Sequence, residues 1–149
     1  MQKVLLVFIA LITLNLGLKA QQCDKKFKIK TERIVTIKED GSEGEEVPFN
    51  ADMTISKDSI TISITLPDGN AVEINGKHSS TVCKMNADYS NGTIEYKTDA
   101  EMNNGGNTKN AKMLFTVEVK DGKMKIFGVP EDEPGEKICF IVKEKEEVK

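Results

Sequence analysis

The chain holds one histidine, one arginine, no tryptophan and three cysteines among its 149 residues, and these scarcities remove whole classes of chemistry. A lone imidazole, His78, cannot build a metal site of several histidines. It leaves one candidate for a Ser-His-Asp constellation, with Ser79, Ser80 or Asp68. Arg33 stands alone in a chain of net charge −3, so the clustered cations that bind phosphate backbones are missing and nucleic acid is not an expected partner. Cys23, Cys83 and Cys139 are too far apart for a C-x-x-C pair, which removes a local zinc knuckle and a thioredoxin-type redox site. No window sustains a helical period with caps. No segment carries a catalytic or cofactor signature, so no cofactor and no metal are expected.

What the chain does have begins at its start. Lys3 precedes an unbroken apolar run from Val4 to Ile12, and Leu18-Lys19-Ala20 closes the segment. This is the pattern of a secretory signal peptide over residues 1–20, cut between Ala20 and Gln21. Even extended through Leu14 the run falls short of the ~20 residues of a spanning helix, and no membrane span is expected in the mature chain. The residues ahead of Cys23, Ala20-Gln21-Gln22, are not the small apolar tripeptide that precedes a lipid-modified cysteine. Residues 21–149 then form a single secreted or periplasmic domain with one core. Lys3 and Lys19 leave with the leader, so 19 basic residues face 24 acids and the formal charge becomes −5.

An oxidising destination predicts one disulfide and leaves one thiol over. Sequence allows three pairings. The preferred one is Cys23 with Cys139, which would fasten the N-terminal segment to the last strand. Cys83 is then a free packing thiol on the parity of Met85 and Ala87. The acids gather in two runs, Glu39 to Glu46 and Glu131 to Glu136, which read as solvated turns.

Past the leader, period two punctuated by tight-turn dipeptides dominates, the sequence form of antiparallel hairpins. Ile60, Ile62, Ile64 and Leu66 alternate with Thr61, Ser63 and Thr65, giving one apolar and one wet face. Pro67-Asp68-Gly69-Asn70 returns the chain into Val72 and Ile74. A segment from Val82 to Tyr89 leads into Ser90-Asn91-Gly92, whose Asn-Gly suits a type I′ turn. Ala111, Met113, Phe115, Val117 and Val119 share a face, Asp121-Gly122 turns the chain, Met124 and Ile126 return, and Ile138, Phe140 and Val142 supply the last apolar face. In the first strand Thr31 and Arg33 interrupt the parity, which predicts a bulge near Glu32. Glu101 to Asn110 reads as a flexible loop, and Lys143 to Lys149 as a frayed tail.

The expected fold is therefore all-β, an antiparallel up-and-down meander of eight or nine short strands closed into a small barrel, with a two-sheet β-sandwich as the alternative. In strand count and connectivity alone it resembles the lipocalin and fatty-acid-binding class. Without tryptophan there is no Gly-x-Trp start motif, and the resemblance implies no ligand and no binding residue.

Candidate chemistry is sparse. His78 reads as an exposed turn residue, since no G-x-S-x-G or comparable nucleophile loop accompanies it. Asn86, Asp88 and Ser90 have the 1, 3, 5 spacing of a calcium loop, yet Asn91 stands where glycine is needed and Lys97 where a bidentate glutamate should be. Asn91-Gly92-Thr93 is a glycosylation sequon. Gly105-Gly106-Asn107 lacks the lysine of a phosphate loop. The function expected is binding rather than catalysis. Either a small apolar ligand is held by Ile62, Met113, Phe115, Met124 and Phe140, or, if the interior is filled, a secreted or surface protein is the partner. The alternatives are a carboxylate-dependent enzyme such as a glycan-active protein and a structural, envelope-associated protein.

Overall fold

The computed structural model describes residues 23–148; the leader and its cleavage point lie outside the described residues. Nine strands and no helix occur among the latter. They are β1 (Lys26–Ile37), β2 (Glu43–Val47), β3 (Ala51–Ile55), β4 (Ser59–Thr65), β5 (Ala71–Met85), β6 (Gly92–Asn104), β7 (Asn107–Lys120), β8 (Lys123–Pro130) and β9 (Lys137–Val148). Each strand from β3 to β8 pairs antiparallel with the next, and β1 pairs with both β3 and β9, so eight strands close into a barrel without a free sheet edge. The ninth, β2, shares one edge of β1 with β3. Phe27 to Lys30 pair with β3, and Ile34 to Ile37 pair with β2.

Alternation decides what fills the barrel. An eight-stranded barrel is just wide enough for side chains to meet across it, and Phe115, Ile60, Ile62, Ile126 and Phe140 meet there with 0–1 % of their surface exposed. Each such side chain contributes about 1.5–3 kcal/mol by leaving water. Gly76 faces inward between Thr98 and Ile60, whose methyl groups occupy the space a Cβ would need. Gly128 lies under the Phe115 ring in the same way. The break of register in β1 falls where it is expected: the β1–β9 ladder shifts between Lys30 and Thr31 and again between Thr31 and Arg33. Beyond it, Val35 and Cys139 pair on the outer face and are also buried, under Phe127 and a cover of charged side chains. Glu43 reaches that cover from β2, at 2.8 Å from Arg33 and 3.7 Å from Lys125, and the Lys137 ammonium lies 4.6 Å from the Phe127 ring centre.

Several local expectations are corrected. Cys23 is bonded to Cys83, with a Cα separation of 6.2 Å, and not to Cys139; Cys139 is the free, buried thiol. The pairing with Cys139 fails because that residue points outward into the Val35 cluster, while the segment before β1 crosses the barrel end towards β5. Asn91-Gly92 is not a two-residue turn. Six residues, Asn86 to Asn91, join β5 to β6, and the positive φ belongs to Tyr89 and Gly92. The Asn86 carboxamide accepts from Ser90 N–H and Asn91 N–H and so closes the loop. The supposed flexible loop Glu101 to Asn110 is the tip of the β6–β7 hairpin, turned by Gly105 and Gly106, both at positive φ. Apart from Met102 its residues are polar and exposed on both faces, so periodicity could not reveal the ladder. The supposed frayed tail continues β9 as far as Val148 against Lys26 to Lys30. Within the acidic run at 39–46, Glu43 to Glu46 belong to strand β2 rather than to a solvated turn. Asp121-Gly122 and the Pro67 to Asn70 turn are as expected, with positive φ at Asp121, Gly122 and Gly69.

Candidate functional site

The two ends of the barrel differ. At one end the hairpin loops β3–β4, β5–β6 and β7–β8 meet the start of β1, and the chain closes over itself. The Cys23–Cys83 bond spans from the start of β1 to β5, and the Phe27 and Tyr89 rings pack at 5.6 Å. Lys25 sits 4.9 Å from the Tyr89 ring centre and 2.8 Å from Glu147. Asn91 Oδ1 accepts the Asp121 N–H at 3.0 Å, and Ser90 C=O accepts the Gly122 N–H at 2.9 Å, which ties two of those loops together.

His78 lies in β5 at the register shift between His78 and Ser80, and not in a turn. It is half-buried and stacked on Tyr96, ring centres 4.1 Å apart and 20° from parallel. Its Nδ1 is 2.8 Å from Thr98 Oγ1. Burial holds its pKa below the ordinary 6.5, with the Ser56 and Ser59 backbones and Asp58 acting weakly in the other direction. Its hydroxyl neighbour is a threonine of the opposite strand, and the neighbouring Ser79 points away to Lys97 C=O at 3.2 Å. A Ser-His-Asp arrangement is not assembled.

At the opposite end, β5 to β9 surround a pocket of about 240 Å³. Inward positions make its floor: Ile74, Met102, Ala111, Met113, Gly128, Pro130 and Ile138. The rim carries Lys109 and, from the β8–β9 loop, Asp132, Glu133 and Glu136. A turn closed by Glu136 N–H to Glu133 C=O at 2.9 Å brings the last two together. A side-chain hydrogen bond to Glu136 pushes the Glu133 pKa above its ordinary value; the charges of Glu136 and Asp132 add to this, and Lys109 opposes it. The rim thus has three acids against one cation. Among the described residues no group of histidine, cysteine or carboxylate side chains converges as a metal-holding cluster.

Of the five residues named from sequence as pocket lining, Met113 alone lies in this pocket. Ile62, Phe115, Met124 and Phe140 are close-packed core. Parity found the inward face without difficulty but carried no sign of where that face stops being filled. Ile74 and Ala111 sit on apolar strand faces in the sequence with no mark of the pocket, and Met102 falls inside the segment that reads as a loop. Larger hollows, of about 650 and 470 Å³, lie on the outer wall. The first has the backbone of Ile60, Gly76, Ala100 and Ala111 as its floor and is walled by exposed polar residues.

The fold and this pocket define a closed antiparallel barrel with one stapled end and one end that stays accessible. Compared with known protein families, curated proteins and solved structures, the chain matches none.

Proposed function

We propose that the protein is an exported, non-catalytic binding domain that receives a small apolar group in the mouth pocket between β5 and β9. One observation carries the reading: the barrel is filled except at this end, where Met102, Met113 and Ile138 line a concave apolar surface. The Cys23–Cys83 bond fits an oxidising compartment, and the apolar run at the start of the chain fits export to one. N-terminal sequencing of the mature protein is expected to begin at Gln21.

With about 240 Å³ available, the pocket has room for about eight water molecules at ~30 Å³ each, and so for a short alkyl or single-ring group. The interior offers no room for a long acyl chain. Titration with 1-hexanol, followed by NMR of ¹³C-labelled methionine methyls, tests the reading. The Met102 and Met113 signals should move while Met53, Met85 and Met124 stay in place. Equal movement of all five, or of none, would remove the mouth as the binding place.

A further inference from the structure

We infer that the group received in the mouth pocket belongs to a small organic cation, a short alkyl or aryl ammonium whose apolar body sits on the Met102–Met113 floor and whose charge lies among the β8–β9 loop acids. The inference rests on the pocket being the binding place and adds the charge of its occupant. Three lines lead to it. First, the floor is apolar and the rim is of one sign: Asp132, Glu133 and Glu136 against Lys109 alone. Second, the acids are not neutralised by the fold. None of the ion pairs among the described residues involves Asp132, Glu133 or Glu136, and the Glu133 to Glu136 turn brings two of these acids together at the rim. Third, they line the rim of an apolar cavity without converging as a metal-holding group. An ion that brings its own apolar surface satisfies both parts of the site, whereas a bare metal satisfies neither its coordination nor the floor.

A carboxylate or phosphate ligand of the same size is disfavoured by the same charges. Each exposed charge pair changes affinity only a few-fold, so a net excess of two negative charges predicts about a tenfold preference for ammonium over carboxylate.

The test compares hexylammonium, 1-hexanol and hexanoate as probes of the full mature protein at low ionic strength, by calorimetry and by the Met102 and Met113 methyl signals. Hexylammonium should bind about tenfold more tightly than hexanoate, with 1-hexanol between them. In the E133Q/E136Q double variant the hexylammonium affinity should fall about fivefold while that of 1-hexanol is unchanged. Both substitutions lie in an exposed loop, and circular dichroism checks that the barrel persists. Hexanoate binding as tightly as hexylammonium, or a double variant that leaves the ratio as it was, would overturn the cation while leaving the pocket. Calcium chloride alone moving the same methyls and displacing hexylammonium would overturn it in favour of a metal. Failure of all three probes, 1-hexanol included, would remove the pocket reading and this inference with it.

Discussion

At the scale of single residues, His78 departs most from its sequence reading. A lone histidine next to two serines has the look of a turn, yet here it forms part of the barrel wall, stacked on Tyr96 and bonded to Thr98. Replacing it with alanine leaves the Thr98 hydroxyl, itself buried, without a partner. His78→Ala should therefore cost about 1–2 kcal/mol in urea unfolding. The pH dependence follows from the direction of its shift. Burial holds the folded pKa below the 6.5 of the unfolded chain, so the unfolded state binds the proton more readily. Stability from this residue is complete above pH 6.5 and is lost as pH falls towards the folded pKa. Glu133, shifted upward, titrates with the opposite sign, so the measurement is the difference between wild type and H78F from pH 7 to 5. That variant should be less stable throughout but have the shallower slope. Equal slopes would place the histidine in water.

At the scale of elements, parity was enough to find most of the strands, because a half-buried strand writes its two faces into alternate residues. The β7–β8–β9 face is the clearest case: Met113, Phe115, Val117, Met124, Ile126 and Phe140 all belong to the core cluster, with Ile138 packed against it. Phe115→Ala should cost about 3–5 kcal/mol and Lys125→Ala under about 0.5 kcal/mol, by chemical denaturation. Comparable losses at the two positions would contradict the register. The elements that escaped the sequence are those without a dry face. β2 is a run of acids interrupted by glycine, the β6–β7 tip is polar on both sides, and the end of β9 alternates charges. Each is held by backbone ladders to a neighbour, and nothing in its own side chains records that neighbour. Loop geometry was misread for a related reason. Asn91-Gly92 has the composition of a tight turn, but Gly92 is placed by a close approach. At φ 134° it lies so near the Lys84 carbonyl and Met85 Cα that a Cβ would collide with them. Gly92→Ala should lower stability by about 2 kcal/mol or more, measured as a fall in melting temperature.

At the scale of the whole molecule, the account is of a barrel closed by β1–β9 pairing, filled through its middle, stapled at one end and accessible at the other. The staple joins residues 60 positions apart, and a chain-entropy loop of that length is worth about 4 kcal/mol. A C23S/C83S variant should lose stability on that scale while keeping its all-β spectrum. Thiol titration of the wild type should find no reactive sulfhydryl in the folded protein and one after unfolding, because burial pushes the Cys139 pKa up to about 11 and shields the sulfur. One thiol that reacts in the folded protein, or a Cys23–Cys139 peptide in a digest, would return the pairing to the one expected from sequence. The functional claim depends on the accessible end, and filling that end tests it most directly. Ala111→Phe, at the mouth of the pocket, should weaken 1-hexanol binding more than tenfold and leave the melting temperature within a few degrees of wild type. Unchanged 1-hexanol affinity in a folded Ala111→Phe protein would contradict the account.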